Sequence, residues 1–406
     1  MNKSRVIISL LLVLITVLSM AGCGKKVETS ATTTTEAMGT TTTVVNEDGS
    51  TTTTTTSPNG TTTTTTTNPD GTTTTTTTSP SGETTTSAPN DAPVPETQPS
   101  TPDANLRYIN GLAVVGTTAY ELYYFNQSYA DKYVNMINAQ ANNLAGIANV
   151  YVIVIPKNVA IGLSDELQAK VSGSNQKTAL EYFYNGFNSN VKEVPIYNTM
   201  LAHRDEYLYF RTDHHWTALG AYYAYTEFTK VRGITTHPLS KYTELNFGNF
   251  LGTLYSSVNK ANSTVGAQMK ANPDVCYGYR PNPNATMYYG SDENNAKTKF
   301  PIVANGASYG TSGKYLAFIA GDQAFEEITN PDITDGSSIV VVKESFGNAF
   351  VPFLVENYHK VYVIDYRHYK KSISDFVKAY GVQDVLYINN ISAATSSLVN
   401  SMKARQ

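Results

Sequence analysis

Apolar positions divide the chain into three unequal stretches. One apolar run, Val6 to Met20, opens it; residues 28 to about 103 carry almost no apolar side chains; beyond that, apolar and polar positions recur with recognisable periods. Tyr133, Met136, Ile137, Gln140, Ala141, Leu144 and Ile147 fall at helical spacing. Tyr151 to Ile155 is a β-branched run stopped by Pro156, the pattern of a parallel strand buried on both faces. Leu112 to Phe125 predicts two short strands around a Gly-Thr-Thr turn. Thr178 to Asn188 predicts a helix and Leu208 to Phe210 a short strand, and Thr217 is placed to cap a helix whose apolar face uses Leu219, Tyr222, Tyr223 and Phe228.

The C-terminal part repeats the alternation. Ser338 to Val342, Val361 to Ile364 and Val385 to Ile388 are three short apolar runs. Helical patterns lie between them, at Asn348 to Asn357 and Ser372 to Tyr380, and Ala393 to Met402 follows the last. This predicts an α/β layer architecture with parallel strands. Ligands of such sheets sit at the carboxyl ends of the strands, and Ser345 falls at one of them. Residues 233–313 are rich in Gly, Asn, Pro, Thr and Tyr, and read as an irregular β insertion beside the site.

The first two stretches read as an address and a tether. Lys3 and Arg5 precede the apolar run, and Ala21-Gly22-Cys23 follows it, as in a secretory signal over residues 1–22. A Cys after small residues resembles the lipobox of bacterial lipoproteins. That resemblance implies cleavage before Cys23, acylation of its thiol and anchoring to the outer face of the cell membrane. The alternative is an uncleaved anchor, but the run falls short of the ~20 apolar residues a span needs. In residues 23–103, runs of Thr are separated by Ser57-Pro-Asn-Gly60, Asn68-Pro-Asp-Gly71 and Ser79-Pro-Ser-Gly82. With nothing apolar to bury, such repeats cannot offset their ordering entropy and are expected to form a disordered, solvated stalk. The folded domain is then 104–406.

Composition narrows the function. A formal charge of −4 gives no basic field to neutralise phosphates, so nucleic acid is not an expected partner. The 29 tyrosines suit a surface that meets sugars, and equally a mixed core. Two cysteines, Cys23 and Cys276, supply neither a disulfide framework nor a Cys-based zinc site.

Two motifs carry chemistry. Asp213, His214 and His215 are consecutive, and in an extended segment Asp213 and His215 share a side while His214 points elsewhere. An imidazole oriented by a carboxylate is a general base, and Ser345, at a strand-to-helix junction with backbone N–H groups around it, is a candidate nucleophile. Gly347 permits close approach of a substrate, and the Asn348 amide is a further oxyanion donor. Two readings compete: a metal site, since His and Asp are good ligands, and rings buried structurally against Trp216. No cofactor is called for.

Thr212-Asp-His-His-Trp-Thr217 followed by Gly220-Ala-Tyr-Tyr223 resembles the signature of the bacterial DHHW proteins, which are similar to the alginate O-acetyltransferase group of SGNH-like hydrolases. The resemblance continues through Tyr151 to Lys157, Tyr315 to Asp322, Glu344 to Asn348 and Ile364 to Tyr369. It implies an SGNH hydrolase-like three-layer α/β/α fold, and a triad of Asp213, His215 and Ser345, with Arg367 matching a basic residue near the family's site. The Ser motif reads Glu-Ser-Phe-Gly rather than Gly-Asp-Ser. The activity implied is serine-dependent O-acetyl transfer or ester hydrolysis on a cell-surface polysaccharide, with a membrane-bound O-acyltransferase supplying the acyl group in the transferase case. A non-catalytic glycan-binding lipoprotein is the alternative, and an adhesin-like spacer a third reading that leaves both motifs without purpose.

Overall fold

The computed structural model describes residues 105–406 without a break. Ahead of them it describes 39–46, 48–57 and 61–67, together with the backbone of strands at 13–14, 31–36, 73–78 and 84–87. Lys3, Arg5, the small residues before the expected cut and Cys23 lie outside the described residues. Among the described residues, no helix is long and apolar enough to cross a membrane. The chain forms two compact units, Met1–Val94 and Pro95–Gln406.

In the first unit the described Thr runs pair as strands. Gly39–Val45 lies antiparallel to Thr51–Thr56, which lies antiparallel to Thr62–Thr67. Thr hydroxyls meet across the strands at 3.1 Å, as at Thr41/Thr55 and Thr52/Thr66. The branched Cβ of Thr favours the pleated conformation, and facing Thr pairs add small increments to it. No described residue of these runs enters a hydrophobic cluster.

The second unit is built on one mixed sheet. Its strands are β1 (Asn149–Ile155), β2 (Val191–Glu193), β3 (Thr286–Gly290), β4 (Thr298–Phe300), β5 (Phe325–Thr329), β6 (Ser338–Lys343), β7 (Lys360–Asp365) and β8 (Asp384–Asn390). Their order in space is β2-β1-β8-β6-β7-β5-β3-β4. The first five are mutually parallel and the last three pair antiparallel. β6, which leads to Ser345, therefore lies inside the sheet with a parallel neighbour on each side.

Strand alternation sorts the core into two layers. Tyr151, Ile153, Ile155, Ile339, Val341, Leu386 and Ile388 face one side. There they meet α3 (Ala218–Arg232) and α4 (Gly347–Leu354). Val150, Val152, Val154, Val340, Val342, Val385 and Tyr387 face the other, against α1 (Gln127–Asn143), α2 (Gln176–Gly186) and α5 (Ile373–Tyr380). This is the three-layer α/β/α sandwich expected from the sequence, with both sheet faces apolar as a parallel core requires.

Three local expectations are corrected. Leu208–Phe210 is not a strand; only an isolated bridge joins Tyr209 to Trp216. The pattern over Ala393–Met402 breaks into two short helices, Ile391–Ala394 and Leu398–Lys403. The insertion is not all β: between the antiparallel strands Thr243–Phe250 and Asp274–Arg280 lie two helices, Thr253–Ala261 and Ser263–Ala271. Part of it also extends the main sheet as β3 and β4. Leu254, Val258, Val265 and Met269 of these helices bury against Ile109, Leu112 and Val114 in a small core of their own.

Candidate active site

Ser345 sits in a tight turn between the carboxyl end of β6 and the start of α4. Gly347 makes that turn possible, because a Cβ there would stand 2.5 Å from the Cβ of Lys343. The glycine thus serves strand–helix packing. The carboxylate of Glu344 ties the turn down: it accepts from the Phe346 amide at 3.1 Å and from the Asn390 amide, at the end of β8, at 2.8 Å. The Ser345 hydroxyl lies 3.3 Å from the same carboxylate.

The imidazole arrives from the other motif. His215 Nε2 is 2.7 Å from Ser345 Oγ, and His215 Nδ1 is 2.6 Å from Asp213 Oδ1. A carboxylate only accepts, so Nδ1 carries the proton and Nε2 presents its lone pair to the hydroxyl. Strand alternation does not produce this pairing. Asp213 Oδ1 also accepts from the His215 backbone N–H at 3.1 Å, so a bend brings the carboxylate to its own neighbour's ring. Nor does His214 point away: its ring lies 3.8 Å from that of His215, centroid to centroid.

The other carboxylate oxygen is held by the insertion. Thr253 donates its amide at 2.9 Å and its hydroxyl at 3.1 Å to Asp213 Oδ2. Thr253 begins a nine-residue helix, whose N-terminal amides favour an anion. With its one hydroxyl proton spent on Asp213, Thr253 Oγ1 accepts from His214 Nδ1 at 2.7 Å. Burial pushes the Asp213 carboxyl up, but the His215 and His214 rings and the Thr253 amide outweigh it and hold it well below the usual range. Burial and then His215 pull the His214 ring down to about 4, so it is neutral at neutral pH.

Two further side chains fix the geometry. Trp216, fully buried, donates its indole N–H to the Phe346 carbonyl at 2.9 Å, joining the His motif directly to the nucleophile turn. Tyr315 stacks on His215 with ring centroids 4.0 Å apart and donates to the Ser345 carbonyl at 3.2 Å. Sequence reasoning assigned no role to Thr253 or Tyr315. The Tyr315 to Asp322 match to the family motif was a signal for the latter; nothing marked Thr253.

Asn348 and Arg367 occupy a network next to Ser345. The Asn348 amide donates to Asp322 Oδ1 at 3.0 Å, which uses one of its two N–H donors. Arg367 pairs with Asp365 at 2.5 Å and Asp322 at 2.9 Å, and buried Lys343 lies between the same two carboxylates. This network reaches Ser345 through the first turn of α4, where the Asn348 N–H donates to the Ser345 carbonyl at 3.1 Å.

Asp213, His214 and His215 offer ligand atoms within 4.8 Å of one another, as a metal site would. Those of Asp213 and His215 are already bonded to Thr253, to each other and to Ser345, so a metal would have to break the Asp213–His215–Ser345 line. The arrangement suits nucleophilic catalysis better: a hydroxyl, a base and an orienting acid in one hydrogen-bonded row.

Comparison with known proteins agrees with the motif. The family model described as "DHHW protein" matches residues 95–364. A solved DHHW family protein from Eubacterium siraeum is 27% identical with a TM-score of 0.65, over 74% of this chain and 97% of that one. PatB1 of Bacillus cereus, solved with a sulfonyl adduct, is 16% identical with a TM-score of 0.59, over 73% of this chain and 98% of that one. No curated protein matches by sequence.

Proposed function

Starting from a chain that belongs to the DHHW family, we propose that it is a cell-envelope lipoprotein that transfers or hydrolyses O-acetyl groups on a surface polysaccharide, with Ser345 as nucleophile. The observation that carries this reading is the continuous row Asp213–His215–Ser345, with steps of 2.6 and 2.7 Å. His215 Nε2 takes the Ser345 proton as Oγ attacks the acetyl carbonyl, and Asp213 stabilises the imidazolium that forms. With the Phe346, Gly347 and Asn348 backbone amides bonded within the turn, the Ser345 N–H and the second N–H of the Asn348 carboxamide stabilise the oxyanion, a contribution of about 10²–10³ in rate for each good donor. Collapse expels the alcohol, which leaves with the proton from His215, and the acetyl group stays on Ser345. A second hydroxyl, of glycan or water, then gives its proton to His215 and takes the acetyl group, restoring Ser345.

Acylated Cys23 would hold the domain at the outer face of the membrane, away from cytoplasmic acetyl-CoA. A membrane-bound O-acyltransferase is then the source of the acyl group for transfer. The PatB1 adduct suggests the test. A sulfonyl fluoride should add one sulfonyl group to the purified protein and none to Ser345→Ala. p-Nitrophenyl acetate turnover should fall by about 10⁴ in Ser345→Ala and Asp213→Asn. Turnover unaffected by both substitutions would remove the proposal.

A further inference from the structure

The segment that precedes Asp213 is clamped from behind. Asp274 opens the strand Asp274–Arg280, stands opposite Phe250 in the antiparallel ladder, and is 0% exposed. Its carboxylate takes five donors from three residues. Oδ1 accepts from the Tyr207 hydroxyl, and from the Arg211 amide and Nε at 3.0 and 3.2 Å. Oδ2 accepts from the Thr212 amide at 2.7 Å and the Thr212 hydroxyl at 2.5 Å. Arg211 and Thr212 are the two residues immediately before Asp213. A carboxylate this deep is costly to desolvate unless its lone pairs are filled, and all of these donors come from residues 207–212.

Thr212 passes the constraint to the loop that holds Asp213. Its hydroxyl has one proton. With Asp274 Oδ2 at 2.5 Å and the Phe250 carbonyl at 3.4 Å, the carboxylate takes it. That orientation leaves an oxygen lone pair for the Gly252 amide, which donates at 3.2 Å. The Thr212 carbonyl accepts from the Tyr255 amide at 2.9 Å. Between these two bonds lies Thr253, whose amide and hydroxyl hold Asp213 Oδ2. Successive amides, of Gly252 and Thr253, therefore bond successive residues, Thr212 and Asp213. A shift of the loop along this short ladder detaches Thr253 from the carboxylate.

From these contacts we infer that Asp274 and Thr212 are positioning residues for the reaction at Ser345. Asp274 orients the Thr212 hydroxyl, Thr212 fixes Gly252, and the loop so placed aims the Asp213 carboxylate at His215. Their effect on rate passes through Asp213. The inference rests on the reading of Asp213, His215 and Ser345 as one catalytic row.

Two substitutions in the full protein test it. Thr212→Val keeps the branched shape and removes the hydroxyl. Asp274→Asn sets an N–H₂ against the backbone N–H of Arg211 or of Thr212, whichever way the carboxamide turns. Turnover of p-nitrophenyl acetate gives kcat and KM, with Thr212→Ser and Ser345→Ala measured alongside. The expected result in both variants is a fall in kcat of about 10²-fold, the cost of a displacement near 1 Å, with KM unchanged. Thr212→Ser, which keeps the hydroxyl, should return kcat to about the wild-type value. In an Asp213→Asn background neither substitution should lower kcat further, because residues that act through one group are not additive. A merely structural residue lowers kcat by the same factor in both backgrounds. Should Thr212→Val not fold, Asp274→Asn carries the same comparison. Unchanged kcat in either folded variant, an equal loss in both backgrounds, or failure of both variants to fold overturns the inference and leaves the row standing. Full turnover in Ser345→Ala overturns the reading of the row, and this inference with it.

Discussion

Gly252 stands against the carboxylate of Asp213: a Cβ at this glycine would lie 2.2 Å from Oδ2 and 2.3 Å from the Asp213 Cβ. The insertion therefore touches the acid of the row directly, with Thr253, the next residue, donating to it. What reads in the sequence as an irregular appendage is a wall of the candidate site.

Gly252→Ala is expected to push Asp213 out of line with His215. A displacement near 1 Å of a positioning group costs about 10²-fold in rate. Ester turnover should fall by about that factor in kcat, with the fold kept as judged by circular dichroism. Unchanged kcat would mean that the loop yields without moving the acid.

Trp216 gives a second prediction. Its indole N–H bonds the His motif to the backbone of the Ser345 turn, beside the His215–Ser345 hydrogen bond. Trp216→Phe keeps most of the buried apolar surface and leaves the Phe346 carbonyl without this donor. Loss of a buried hydrogen-bond partner costs about 1–3 kcal/mol, measurable by denaturant unfolding. Turnover should drop as well, because the distance between His215 and Ser345 is no longer clamped. A variant of normal stability and normal turnover would show that Tyr315 alone holds the turn.

Much of the fold was legible in the sequence, and the reasons differ by element. The central strands were, because a short β-branched apolar run bounded by polar residues is suited to a strand buried on both faces and poorly suited to a helix. Tyr151–Ile155, Ser338–Val342, Val361–Ile364 and Val385–Ile388 all lie within strands. Thr217 caps α3 as expected, accepting from the Gly220 amide at 3.2 Å. Asp213 and His215 are hydrogen-bonded through a bend and not by strand alternation, and a carboxylate capping its own bend leaves no periodic trace. The helices at Thr253–Ala261 and Ser263–Ala271 were missed because their apolar positions serve only a small satellite core. Four apolar side chains spread over 16 positions give a weak helical signal against a polar background. The bond from Asn348 to Asp322 was illegible for another reason: its partner comes from elsewhere in the chain.

The His cluster separates two chemistries by a simple treatment. With Asp213 and His215 bonded within the row, a chelator should leave ester turnover unchanged. Added zinc should inhibit, because binding it requires those bonds to break. His214→Gln should keep most of the activity, since His214 bonds Thr253 and is neutral at working pH. Loss of turnover on chelation, restored by a divalent ion, would put a metal in the mechanism.

The last prediction concerns acid. Burial raises the Asp322 carboxyl, but Lys343, Arg367 and the Asn348 amide outweigh it and hold it at about 2, below the ordinary 3.8. A carboxyl depressed in the folded state binds its proton more readily when unfolded. Its contribution to stability is therefore complete above about pH 4 and is lost as the pH falls through 2. The side chain is about a third exposed, so solvent screening reduces the contribution to on the order of 1 kcal/mol. Asp322→Asn should accordingly lower stability near neutral pH by that amount and flatten the stability curve between about pH 4 and pH 2. Asn can still accept from Asn348 but cannot neutralise Lys343 and Arg367, so loss of charge rather than of shape is what the comparison reads. Denaturant unfolding of wild type and variant at a series of pH values decides it. Parallel curves would mean that Asp365 alone compensates both cations and that Asp322 adds nothing to the support of α4.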